Sequence, residues 1–322
     1  METRGEAAAP LSDAVASAAW CFHLDLMAAE VMAAFEASGC RAILLKGPTF
    51  ASWLYTDGST RHYGDVDALV DPRAAELAEG VLRDLGFERL RADESSVENS
   101  TVARDWVRGD VDKVDLHLAL EGAACDGDSV FETLWHHTET IRVGGAQVVA
   151  LDVAGRALHI ALHASQHGAI ERQPMEDLSR ALDQLDAAAW GVAADLARLV
   201  GADVMFSAGL RLDVRGASLL DELGFDAQVT KTAALRATGG AAAPGMNIAR
   251  LAAATGIRAK VAWAFRWAFP SGAKMRRLSP EIGESKWRLV MAYARHITRV
   301  GGVAREYKAW RDASHPTERE SS

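Results

Sequence analysis

Two aspartates one residue apart, Asp65 and Asp67, stand in the run RHYGDVDALVDP. On an extended chain, side chains two positions apart share a face, so the two carboxylates point the same way. Held side by side away from an apolar interior they repel, and the arrangement is costly unless a cation lies between them. A divalent ion is the economical answer. Magnesium takes hard oxygen ligands, keeps several waters and completes its shell with substrate phosphates, so the pair points to phosphate chemistry. A D-x-D pair can also be a solvated strand end, and the surroundings have to decide. A third acid, Asp115, follows in KVDLHLAL, where Val114 and Leu116 alternate with Asp115 and His117. If the two segments pair as strands, Asp115 lies across from the D-x-D pair and three acids converge.

The elements that would hold these residues are legible from pattern. Residues 42–45 read as an apolar strand ending at Lys46 and Gly47, and Pro48 can open a helix to about Tyr55. That Lys-Gly turn offers backbone N–H groups and the positive end of a helix dipole to phosphates. A strand over 64–70 follows. A long helix is predicted before this unit, over 11–38, and another after it, over 73–85, with Gly86 at its exit. Hairpins are predicted around Gly109 and Asp110, with Asp115 in the second arm, and around Gly144 and Gly145. A helix over 129–137 lies between them. From Asp152, a natural N-cap, the apolar period changes from two to 3.6. Pro174 opens the next helix, and helical patterns continue over 190–212 and 216–223. The Gly/Ala/Pro stretch 238–245 reads as a linker. This divides the chain into 1–150, mixed α/β with an N-terminal helix; 151–237, helical; and 238–322, the linker and a basic helical tail rich in tryptophan and arginine.

His159, His163 and His167 recur every four residues and so line one side of the helix that Asp152 caps. Zinc could use such a ladder, with Glu171 or Asp177 completing the shell, but no matching cysteine or acidic motif supports it. Hydrogen bonding to neighbours or substrate is the commoner use, and Asp177 is placed to orient one of the histidines.

Composition sets the outer bounds. The 322 residues are 49% hydrophobic and 25% charged, enough for a packed core in about two domains. Cys21, Cys40 and Cys125 are scattered and odd in number, which supports neither a disulfide framework nor a zinc site and fits a reducing cytoplasm. The polar N-terminus lacks the basic-then-apolar pattern of a signal peptide, and no run reads as a membrane span. A net charge of −9 argues against general nucleic-acid binding. The charge is uneven. Residues 250–322 hold fifteen Lys/Arg against six Asp/Glu, a net of +9, so residues 1–249 carry −18. The basic tail either neutralises the acidic body or meets an acidic partner.

With ILLKGPTFASWLY, RHYGDVDALVDP, LRDLGF, KVDLHLAL, ALHASQHG and MEDLSRAL in place, the chain resembles the bacterial uncharacterised nucleotidyltransferase group of the DNA polymerase beta-like superfamily. The order and spacing of these pieces, over roughly residues 41–187, carry the likeness. The resemblance implies an α+β nucleotidyltransferase fold, a small mixed sheet flanked by helices with a helical domain closing the nucleotide cleft. It makes Asp65, Asp67 and Asp115 the catalytic and metal-binding acids for two Mg²⁺ ions. Lys46 and Gly47 stand at the phosphate turn; Arg61 and Gly64 belong to the acidic motif, with Arg61 facing the triphosphate. His117, His163, His167 and Asp177 fall on the substrate side. The superfamily's turn usually reads Gly-Ser; here it is Lys-Gly, with Thr49 as the candidate substitute for the missing hydroxyl.

The activity this implies is transfer of a nucleoside monophosphate, AMP from ATP, to a hydroxyl of a small molecule with release of pyrophosphate. Its rivals are AMP addition to a partner protein, as in antitoxin-like nucleotidyltransferases, and a nucleotide-binding scaffold without turnover. An RNA acceptor fits poorly with the acidic catalytic half.

Overall fold

A computed structural model of the chain describes residues 13–90, 102–239 and 285–300, with isolated positions between 256 and 310. At its centre is a seven-stranded mixed sheet in the order β3-β4-β5-β2-β1-β7-β6. The strands are β1 (Ala42–Leu44), β2 (Val66–Val70), β3 (Glu88–Arg89), β4 (Ala103–Arg108), β5 (Asp112–His117), β6 (Thr138–Val143) and β7 (Ala146–Leu151). Both predicted hairpins form, as β4–β5 and β6–β7. The chain is α+β.

Alternation along the strands sorts their side chains between two cores. Ala42 and Leu44 of β1, Val66, Ala68 and Val70 of β2, and Val114 and Leu116 of β5 face α1 (Asp13–Ala37) and α3 (Ala75–Asp84). Ile43, Leu69 and Leu151 face the other way, into a core built with α2 (Pro48–Leu54), α4 (Gly127–Trp135) and α5 (Val153–His167). Two covered faces explain why β2 is buried at all five residues. Asp67 belongs with Leu69, on the α5 side, because the pleat has a period of two.

Helix α5 opens where Asp152 caps it, accepting a hydrogen bond from the Gly155 N–H at 2.8 Å. Its residues from Ala154 to Ser165 are all buried, the mark of a helix enclosed by its neighbours. α6 (Arg172–Gln184), α7 (Ala187–Leu199), α8 (Asp203–Leu210) and α9 (Val214–Glu222) add to the same core, which therefore runs from the sheet into the helical part. α8 crosses α5 closely at Gly209, where a Cβ would lie 1.9 Å from the Ala161 carbonyl oxygen.

Three helical expectations change. α6 begins at Arg172, so Pro174 sits inside its first turn, where the missing N–H has no partner to lose. The pattern over 190–212 is two helices, because Gly201 turns the chain with φ +67° between α7 and α8. Helix α10 (Lys231–Gly239) lies in a part of the helical division to which the sequence pattern assigns no helix and runs two residues into the predicted linker. Residues 240–245 of that linker, and most of the tail apart from α11 (Lys286–Val300), lie outside the described residues.

One helix among the described residues, Val15–Ala37, is long and apolar enough to cross a membrane, which the sequence reading did not anticipate. Leu24, Ala28, Val31 and Phe35 bury this helix against the sheet, and it carries Asp25 and Glu30.

Candidate functional site

β2 and β5 run parallel, in a register that makes Asp67 and Asp115 Cα partners and Leu69 the partner of His117. The pleat then sends Asp67, Asp115 and His117 to the α5 side together. One ligand atom from each lies within 4.8 Å of the others, a spacing suited to one metal ion. Asp65 stands just before β2 begins, at the edge of the same group.

Burial is severe here. Asp67 is 1% exposed and Asp115 8%. Their negative charge is met by two ammonium groups and an imidazole. Lys46 Nζ lies 3.0 Å from Asp67 Oδ2 and 3.8 Å from Asp65 Oδ1. Lys113 Nζ lies 3.0 Å from Asp115 Oδ1 and 3.6 Å from Asp65 Oδ2. His117 Nε2 is 3.1 Å from Asp67 Oδ1. Burial works to raise the Asp67 carboxyl, but Lys46 and His117 hold it well below the usual range. Asp115 is pushed up to about 7, first by burial and then by Asp67 and Asp65. Asp65 is raised for the same reasons, burial and then Asp67. Burial would lower the Lys46 ammonium; Asp67 and Asp65 outweigh it and raise it. The acids thus divide into one firmly ionised carboxylate and two pushed toward the neutral form, which is the unrest expected where negative groups are gathered for a cation.

Asp67 Oδ2 and Asp115 Oδ1 are fully buried yet accept no hydrogen bond of good geometry, although an ammonium lies 3.0 Å from each. Buried carboxylate oxygens without a well-formed hydrogen bond are costly, and a hard divalent cation is a ligand that suits them. The donor set therefore fits a metal.

A cleft of about 480 Å³, open to solvent, begins at Asp65 and Asp67. Its walls include Lys46, Gly47, Arg61, Tyr63, Gly64, Asp65, Asp67, His163 and Gln173. At its base Gly47 has φ +72° and ψ −110° and hands the chain to Pro48, the first residue of α2. A side chain at Gly47 would meet the Tyr63 ring at 3.3 Å, so glycine is required both by φ and by space.

Other expected residues are placed differently. Thr49 is buried, and its hydroxyl donates to the carbonyl of Leu45, just after β1, at 3.0 Å, so it does not face the cleft as a substitute for the missing serine. Asp177 orients no histidine. It accepts from Arg61 Nε at 3.0 and 3.1 Å, from Arg61 Nη2 at 2.7 Å and from the Tyr55 hydroxyl at 2.8 Å. Arg61 still lines the cleft, but two of its nitrogens belong to α6. In the histidine ladder, His159 and His163 are buried, and His167 Nδ1 pairs with Glu171 at 2.8 Å. Burial, the leading cause, depresses His159 to about 3 and His163 well below its ordinary value. Of the three, His163 reaches the cleft wall.

Two residues escaped the sequence reading. Lys113 shares the face of Asp115 and His117, a signal present in the K-V-D-L-H alternation. Asp105 of β4 is the Cα partner of Asp115 on its other side and is buried; nothing local marks it.

Acids from two adjacent parallel strands thus stand beside a glycine turn that opens a helix. The chain belongs to the family described as uncharacterised nucleotidyltransferase, which it matches over residues 22–215. Among solved structures it is similar to an antigenic nucleotidyltransferase-like protein from Paracoccidioides brasiliensis. The identity is 15%, the match covers 64% of this chain and 98% of that one, and the TM-score is 0.36. No curated protein matches the chain.

Proposed function

We propose that the chain transfers a nucleoside monophosphate from an NTP, with ATP the expected donor, to a hydroxyl acceptor and releases pyrophosphate. The observation that carries this reading is the register of Asp67 against Asp115, both buried, with Asp67 lining a cleft bounded by the Lys46-Gly47 turn. Asp67, Asp115 and His117 would hold a divalent metal, with Asp65 beside them; when bound, the metal would brace the phosphates and lower the barrier to attack by the hydroxyl. The O–P bond forms at the α-phosphorus, the bond to the β-phosphate oxygen breaks, and the hydroxyl proton goes to a carboxylate, for which Asp115 is suited by its place on the second strand. The Gly47 N–H group, Lys46 and the free edge of the Arg61 guanidinium supply positive potential to the phosphates. His163 and Gln173 line the same cleft and would bear on what enters beside the nucleotide.

The test uses the purified chain with each α-labelled NTP, magnesium or manganese, and a small-molecule extract. Label should move into a new product with wild type and not with Asp67→Asn, which should fold normally. Equal transfer by the two proteins would refute the assignment of Asp67. Label arriving on a protein band instead would make the acceptor a polypeptide.

A further inference from the structure

The Asp65 carboxylate is held between two ammonium groups, one to each oxygen: Lys46 at 3.8 Å from Oδ1 and Lys113 at 3.6 Å from Oδ2. Each lysine then reaches a second acid at 3.0 Å, Lys46 to Asp67 and Lys113 to Asp115. The three acids are therefore linked by two cations contributed by the chain itself. The group whose atoms lie close enough for one ion, Asp67, Asp115 and His117, leaves Asp65 out. Lys113 thus already puts a positive charge between Asp65 and Asp115.

We infer that Lys113 is a built-in cation that takes the second metal's place between Asp65 and Asp115, so that the nucleotide-free protein binds one divalent ion, at Asp67, Asp115 and His117. This rests on the metal-dependent reading of the site and departs from the two ions that the sequence resemblance implies. Asp67 and Asp115 of the ion-binding group are both more than nine-tenths buried, and Asp67 Oδ2 and Asp115 Oδ1 accept no well-formed hydrogen bond. Lys113 sits at a strand position whose backbone pairs with Val107 of β4, so its stem is anchored while the ammonium spans the two acids. Methionine keeps the length of that stem and deletes the charge; arginine keeps the charge.

The test counts bound Mn²⁺ by electron paramagnetic resonance of the free ion, with no nucleotide present, for wild type, Lys113→Met and Lys113→Arg, each checked for native circular dichroism. One ion per chain is expected in wild type and Lys113→Arg, and two in Lys113→Met. Two ions in wild type, or one in a folded Lys113→Met, overturns the inference and leaves the metal-dependent reading standing. Absence of any binding in wild type overturns both. Should Lys113→Met not fold, the wild-type count alone decides.

Discussion

Removing Asp177 gives the sharpest energetic test of how the cleft is held together. The carboxylate accepts three hydrogen-bond contacts from Arg61, one from Tyr55 and one from Gln173, and the Arg61 and Asp177 side chains are 3% and 1% exposed. Asp177→Ala would leave the buried guanidinium without its carboxylate, against the Phe50 ring, whose centroid lies 5.3 Å away. Breaking a buried pair from one side costs about 3–5 kcal/mol, whereas replacing both partners by apolar groups is close to neutral. Asp177→Leu and Arg61→Met should therefore each cost about 3 kcal/mol or more, and the double variant clearly less than their sum, giving a coupling energy of at least about 3 kcal/mol. Urea unfolding followed by tryptophan fluorescence measures all four proteins. The same pair ties the segment before Asp65 to α6, so the single variants should also lose nucleotide affinity. Single variants within about 1 kcal/mol of wild type, or a strictly additive double variant, would refute the claim that this ion pair fixes the wall of the cleft.

His159 should make the fold acid-sensitive. Its folded value of about 3 lies below the ordinary 6.5, so the unfolded chain takes up a proton that the folded chain refuses, and stability falls as pH drops from about 6.5 toward 3. Between pH 7 and pH 5 the loss from this one ring is about 2 kcal/mol, and His159→Gln should remove that part of the slope in paired urea titrations; parallel slopes would exclude it. Gly47→Ala forces a side chain into positive φ and against Tyr63, a strain of about 1–3 kcal/mol, and nucleotide affinity measured by calorimetry should fall with it; unchanged affinity would mean the turn does not cradle phosphate. Gly209→Ala drives a methyl into the Ala161 carbonyl and should lower stability by about 3 kcal/mol, seen as a drop in Tm, while an alanine at exposed Gly58, where nothing stands in the way, tests only the cost of positive φ.

Local pattern carries a long way in this protein. Period-two alternation marks β2 and β5, a fixed-φ proline after a glycine marks the turn into α2, and Asp152 marks the start of α5, since each of these is a preference of a few neighbouring residues. The acids, their shared face and the Lys46-Gly47 turn follow from those preferences. The break between α7 and α8 does not, because the positive φ of Gly201 suits its packing beside Ala124 and Cys125, far away in sequence. α10 is equally silent, since its burial comes from contacts with α8 and α5.

The amino-acid sequence by itself determined which residue types stand in extended segments and which side of each segment they share, because side-chain direction in a strand is set by the backbone alone. Only the tertiary structure decided which acid meets which: the parallel register of β2 on β5 pairs Asp67 with Asp115, sets Asp105 behind them and brings Lys113 within reach of Asp65. The same holds for Arg61 and Asp177, 116 residues apart. Such pairings are chosen by which faces of the sheet are buried and by which helices cover them, a decision made by the whole core at once.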